Sequence, residues 1–127
     1  MKETGAGMRR LLDPAGEEER LLLLRARPGL LERFSEAGAA RRLFDELTAC
    51  GKNVILDFAD QRAFRIELLG ALVAAQCHLR KNGRSLVLLG PRPRTAALIK
   101  FLCLDALLPC CRELSEARQH LQRRGAA

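Results

Sequence analysis

The sequence predicts a single α/β domain built on a mixed β-sheet, and three stretches carry that expectation. Val54-Ile55-Leu56-Asp57-Phe58 is an apolar run of strand length. The segment from Ile66 to Lys81 follows with an apolar period of about 3.6. Asn82-Gly83 stops it, and Ser85-Leu86-Val87-Leu88-Leu89-Gly90 returns as a second apolar run. Strand, crossover helix and parallel strand satisfy all three. The predicted order for the whole chain is βββαβαβαβα, with an N-terminal hairpin and helices mainly on one face of the sheet.

Ahead of this unit, Met1 to Gly7 reads as a polar tail, and Met8 to Leu12 as a short edge strand. Asp13-Pro14-Ala15-Gly16 has turn composition. Leu21-Leu22-Leu23-Leu24, within Arg20 to Ala26, is too apolar for a half-exposed strand and is predicted to be central. Pro28-Gly29 then predicts a tight turn, with Leu30 to Phe34 returning as the hairpin partner. Ser35 suits the N-cap of a helix whose Ala40, Leu43, Phe44 and Leu47 share one face while Arg41, Arg42, Asp45 and Glu46 face out. Gly51 ends that helix. Residues 1–19 are thus read as an N-terminal tail holding an edge strand, 20–124 as the domain and 125–127 as a C-terminal tail.

The central helix is apolar on two sides. On a helical wheel Ile66, Leu69, Val73 and Cys77 fall together, and Leu68, Leu72, Ala75 and Leu79 fall nearly opposite. One stripe is enough to cover a sheet. The second, Leu68 to Leu79, is either buried by another element or offered to a partner, and the expectation drawn here is the partner. Beyond the second strand, Gly90-Pro91-Arg92-Pro93 turns the chain, with Pro93 suited to the first helical position. The helix predicted over Thr95 to Leu104 has Lys100 as its only charge, again more apolar surface than one sheet face needs. Pro109 breaks the chain, Cys110-Cys111 reads as a very short edge strand, and Ser115 caps a last helix running to about Gln122.

Bulk properties restrict the partners. A length of 127 residues fits one domain, and 48% hydrophobic with 29% charged residues fits a globular chain rather than a disordered one. The formal charge is +7. It raises nucleic acid as a partner, but the basic residues are scattered and the chain has no Trp or Tyr to stack on bases. The five cysteines are an odd number, lie mostly in apolar runs and follow no segment resembling a secretory signal, which predicts a reducing cytoplasm. Lys100 and Asp105 interrupt the best candidate for the ~18 apolar residues a membrane span requires, so direct membrane insertion is not expected.

Chemistry-bearing constellations are sparse. His78 and His120 sit in helical segments without a Ser, Cys or Asp partner at a recognisable spacing. Cys103, Cys110 and Cys111 contain no Cys-x-x-Cys, so no metal site is expected and buried apolar roles are. Gly90-Pro91-Arg92-Pro93-Arg94 lies where phosphate is often held, but its prolines remove amide donors and no Gly-Lys-Ser/Thr follows. Asp57 reads as a strand-end residue bonded to backbone, Asp60 as a turn residue. No catalytic residues and no cofactor are expected.

Leu56-Asp57-Phe58, the polar link after it, Leu69-Gly70-Ala71-Leu72, Gly83, Leu86 through Arg94, and Leu104-Asp105-Ala106-Leu107-Leu108, taken in order, resemble the STAS domain. That domain is shared by bacterial anti-sigma-factor antagonists and anion-transporter tails. The resemblance covers roughly Leu21 to Leu121 and rests on order and spacing rather than on any single motif. It implies a small signalling domain that works by binding protein: a kinase-like ATPase that is also an anti-sigma factor, an ABC-transporter ATPase, or a second copy of itself. Switching members of the family carry Asp-Ser-Ser/Thr-Gly at the start of the central helix, where the serine is phosphorylated. This chain reads Arg65-Ile66-Glu67-Leu68, with Ile66 in the acceptor position, or Glu67 if the register shifts by one. No phosphorylation is expected there. Glu67 is either an ordinary helix-start glutamate or a mimic of the modified state. Cys103 stands where the family often has a helix-ending glycine, which predicts a different end to that helix.

The expected function is protein binding without catalysis, as an anti-sigma-factor-antagonist-like regulator lacking a serine switch. The expected surface is Arg62, Arg65, Ile66, Glu67, Leu68, Leu72 and Leu79 with Arg92 and Arg94. Two alternatives are a small cytoplasmic subunit of a lipid-transporting ABC complex and, from another class, a basic nucleic-acid-binding protein.

Overall fold

The computed structural model describes residues 10–27, 38–58, 61 and 65–126. Its elements are β1 (Leu12–Glu17), β2 (Leu21–Ala26), α1 (Ala39–Thr48), β3 (Asn53–Asp57), a 3-10 turn (Ile66–Leu68) leading into α2 (Leu69–Lys81), β4 (Leu86–Leu89), α3 (Pro93–Phe101), β5 (Cys110–Cys111) and α4 (Leu114–Ala126). They form one mixed α/β unit around a five-stranded sheet of order β1-β2-β3-β4-β5. Only the β1–β2 pair is antiparallel.

Alternation along the strands sorts the core into two layers. Leu22, Leu24, Val54, Leu56, Leu86 and Leu88 face α1, α2 and Ile99 of α3. Ile55, Val87 and Cys111 face Ala117 and Leu121 of α4 on the other side. Both faces are covered, which is why the inner strands read as continuous apolar runs. Three of the described helices lie on one face and α4 alone on the other, as the sequence predicts.

The N-terminal hairpin differs from the expectation. Asp13-Pro14-Ala15-Gly16 is not a turn but the body of β1, paired with β2 through Leu12↔Ala26 and Pro14↔Leu24, with a bulge between Pro14 and Gly16. An edge strand tolerates proline and a bulge, so the turn-forming residues mislead here. The actual turn follows at Glu18 to Leu21, closed by the Glu18 amide to the Leu21 carbonyl at 2.7 Å. The strand predicted over Leu30 to Phe34, its turn at Pro28-Gly29 and the Ser35 cap lie outside the described residues.

Helix α1 is flanked by Gly38 in the left-handed region at φ 95°, and its buried residues are Ala39, Leu43 and Leu47, so Ala39 rather than Ala40 joins the core face. Glu46 does not face solvent. Its carboxylate accepts the Leu11 and Leu12 amides, each at 2.9 Å, and so ties the start of β1 to α1. Those amides sit where an edge strand begins and have no ladder partner of their own, so the carboxylate completes them.

The second stripe of the central helix is the largest correction. Leu68, Leu72 and Leu79 are each 1% accessible and Ala75 is 0%. They belong to the core, because α2 lies on the sheet while α1 packs along its flank, and Phe44 meets the His78 ring edge-on at 5.7 Å. The buried positions form one broad arc from Ala71 through Ala75, Leu68, Leu79, Leu72 and Gln76 to Leu69. Of the other stripe only Leu69 is buried, while Ile66 and Cys77 are exposed. The two stripes exist, but the one assigned to a partner is the one the chain keeps.

Helix α3 starts with Pro93 in its first turn, as predicted, and ends at Phe101. The Cys103 amide reaches the Lys100 carbonyl and the Leu104 amide the Ile99 carbonyl, both at 2.9 Å. This is the hydrogen-bond pair of a Schellman ending, whose left-handed position normally holds glycine. Cys103 occupies it at φ 61°. The expectation of a different helix end is therefore wrong: the ending is the usual one, held by a strained side chain. Cys103→Gly is expected to stabilise the domain by about 0.5–1 kcal/mol, less than the full left-handed penalty because glycine is freer when unfolded. Urea unfolding of the two chains measures it; a loss of stability would show that the thiol has a packing role outweighing the strain.

The cysteines also depart from expectation. Cys50, Cys77, Cys103 and Cys110 are exposed and only Cys111 is buried. Partial burial nevertheless pushes the Cys110 thiol up to about 11, with Cys111 and Asp105 adding to it. It is protonated at neutral pH and a poor nucleophile.

Candidate partner-binding surface

β3 and β4 lie parallel and adjacent, and the Phe58 amide bonds the Leu89 carbonyl at 2.9 Å where they end. The segments that follow both strands therefore leave from the same carboxyl edge of the sheet. That edge leads on one side to the start of α2 and on the other to the Gly90 to Arg92 turn and the start of α3.

At the first of these, Arg65 is extended at φ −69° and ψ 134° and makes no side-chain cap. Its guanidinium reaches Glu67 at 3.2 Å. The Glu67 carboxyl is held below the usual carboxylate range chiefly by a hydrogen bond from its own amide, and Arg65 lowers it further. Glu67 thus stays ionised and does for the helix start what a capping side chain would do. Ile66, beside it, is 56% accessible. A β-branched apolar side chain in the first turn gains nothing from water, and Gly70 and Ala74 on the same outer face leave it standing clear.

At the second, Gly90 takes φ 67°, which turns the chain sharply off β4. Arg92 and Arg94 are both exposed. Farther along α3, Phe101 is 81% and Leu102 39% accessible. The surplus apolar surface noticed in the sequence over Thr95 to Leu104 is real and faces solvent, whereas that of α2 is internal. Phe101 and Leu102 are adjacent, so the exposed apolar surface of α3 is gathered at its C-terminal end.

Of the residues expected to bind a partner, Arg65, Ile66, Glu67, Arg92 and Arg94 reach the surface near the carboxyl edge. Leu68, Leu72 and Leu79 do not, being core. Arg62 lies outside the described residues. Phe101 and Leu102 were not singled out, although the apolar run containing them was. Asp57, read as a backbone-bonded residue, accepts from the Arg25 guanidinium at 3.2 Å. No group of three or more His, Cys, Asp or Glu side chains is arranged to hold a metal ion among the described residues. Nor is any described helix long and apolar enough to cross a membrane.

The chain matches no family model and no curated protein. Solved structures do resemble it. The solution structure of protein TM1081 superposes with a TM-score of 0.72 at 16% identity, covering 97% of this chain and 96% of that one. An anti-sigma-factor antagonist (STAS) domain protein from Planctomyces limnophilus gives 0.69 at 15% identity, over 87% and 97% of the two chains. A crystal structure of TM1081 from Thermotoga maritima, described as a proposed anti-sigma factor antagonist, gives 0.61 at 20% identity, over 80% and 88%. With its parallel strands, hairpin edge and helices arranged as above, the chain has the fold of the STAS, or anti-sigma-factor-antagonist, domain.

Proposed function

We propose that this chain is a cytoplasmic protein-interaction domain without catalysis of its own, a regulator of the anti-sigma-factor-antagonist type that is not switched by serine phosphorylation. The observation that carries the reading is the exposure of Ile66 and Phe101 on the helices that start from the carboxyl edge of this fold. The segment from Arg65 to Leu68 has no hydroxyl to modify. The docking surface comprises Arg65, Ile66, Glu67, Arg92, Arg94 and the outer face of α3, with Ile66 and Phe101 as apolar anchors and the arginines favouring an acidic rim on the partner.

The test uses the tagged chain to recover partners from its native cells. Ile66→Asp with Phe101→Asp is expected to keep the fold, since both side chains are exposed, and to reduce recovery of the principal partner by tenfold or more, as loss of two hot-spot side chains does. Unchanged recovery overturns the surface. A histidine-kinase-like ATPase among the recovered proteins supports the antagonist reading. An ATPase recovered with a permease would instead make this the small subunit of a transport complex, and a self-complex lost in the same variant would make it a homodimer.

A further inference from the structure

At the opposite, amino edge of the sheet lies a pocket of about 120 Å³ lined by Asn53, Arg80, Gly83, Arg84, Ser85 and Arg124. Its walls are fixed by the βαβ unit. The Ser85 amide donates to the Asn53 side-chain oxygen at 2.9 Å, joining the starts of β3 and β4. The Arg84 guanidinium is held by the Gly51 carbonyl at 3.1 Å and the Gly83 carbonyl at 3.4 Å. Arg80, in the last turn of α2, reaches the Leu107 carbonyl at 3.5 Å. Arg124 comes in from α4 on the other face.

Two polar atoms in this wall lack partners. The Ser85 hydroxyl is fully buried without a hydrogen bond, and so is Nε of Arg80. Buried polar atoms are nearly always paired, to protein, water or ligand, so both atoms are open to a further partner. No carboxylate among the described residues pairs with Arg80, Arg84 or Arg124. The carbonyl end of α2 supplies only about half a negative charge against three guanidinium groups. The same crowding is felt at His120, whose charged form is disfavoured by burial and then by Arg124, Arg123 and Arg80.

We propose that this pocket binds the phosphate group of a small phosphorylated ligand or inorganic phosphate. Three guanidinium groups and one hydroxyl match a tetrahedral oxyanion in charge and in donor number. The volume of 120 Å³ is about four times the share of one water in the liquid, room for a phosphate but not for an organic remainder inside the same pocket. An organic remainder has a place to go. Asn53 also lines a neighbouring cavity of about 350 Å³ with the apolar walls Leu21 and Leu121. This site shares no residue with the proposed docking surface and does not depend on it.

The experiment is a titration of the whole chain with inorganic phosphate and, separately, with phenyl phosphate, at constant ionic strength, followed by backbone amide NMR. The expected result is a saturable shift centred on Gly83, Arg84 and Ser85 in the millimolar range or below. Arg124→Gln, at an exposed position, and Ser85→Ala, which removes the orphaned hydroxyl, are each expected to weaken binding about tenfold while the fold is kept. Tighter binding of phenyl phosphate assigns the site to a phosphomonoester, and equal binding assigns it to free phosphate. The proposal is overturned by the absence of saturable shifts at about 20 mM, by shifts centred on Arg92 and Arg94, or by insensitivity to both substitutions. A short oligonucleotide that displaces phosphate and binds with a steep salt dependence would replace the small ligand with nucleic acid.

Discussion

Leu68→Asp combined with Leu72→Asp is expected to leave no folded domain. Each leucine is 1% accessible, packed between the sheet and the α1 flank. Losing the burial of one such side chain costs about 1.5–3 kcal/mol, and placing an unpaired carboxylate in its stead adds several more. Two such changes are comparable in sum to the roughly 5–15 kcal/mol that holds a domain of this size together. Far-ultraviolet circular dichroism and urea titration measure the outcome. A soluble, cooperatively unfolding double variant would mean that the stripe is surface after all, and that the core assigned to it is wrong.

Gln76→Leu is expected to be the most destabilising single change that conserves volume. Gln76 is wholly buried in α2, and its amide completes the edge of β4. The side-chain nitrogen donates to the Leu86 carbonyl at 2.9 Å and to the Leu107 carbonyl at 2.7 Å, and its oxygen accepts the Leu86 amide at 2.8 Å. The need arises from the brevity of β5, which pairs only with Leu88 and Leu89 and leaves Leu86 without a strand on that side. The glutamine stands in for the missing strand. With leucine there, the buried Leu86 amide and carbonyl lose this partner, at about 1–3 kcal/mol each before relaxation, and the Leu107 carbonyl keeps only the Arg80 guanidinium at 3.5 Å. A net loss of about 3 kcal/mol, seen as a fall of roughly 10 °C in Tm, is expected. A change below about 1 kcal/mol would mean that these groups find other partners.

The βαβ unit was legible because strands buried on both faces read as unbroken Val, Ile and Leu runs, and because Asn82-Gly83 punctuates them. The short β5 at Cys110-Cys111 followed from Pro109 and from length alone. β1 was expected too early, as an edge strand ending at Leu12, because Pro14 and Gly16 carry the same chemistry in a turn and in a bulged edge strand; only pairing with β2 decides between them. The wheel for α2 showed two apolar stripes correctly, yet a wheel has no neighbours, and which stripe is covered depends on where α1 docks. Gln76 carried a readable signal, a lone amide between Leu72 and Leu69 in an otherwise apolar arc. Glu46 carried none, since a glutamate on the polar side of a helix looks the same whether it meets water or the amides of another strand. On α3 the excess of apolar residues was visible, and the structure confirms that Phe101 is where it emerges.

The central helix keeps its leucines, and the proposed contact with a partner falls to Ile66, the arginines and the outer face of α3. Hydrogen exchange of the chain, free and bound to a recovered partner, tests this most directly. New protection is expected at residues 65–67 and 91–102, with amides from Leu72 to Leu79 already slow in the free chain and unchanged on binding. Protection gained chiefly along Leu72 to Leu79, or fast exchange there in the free chain, would contradict the account.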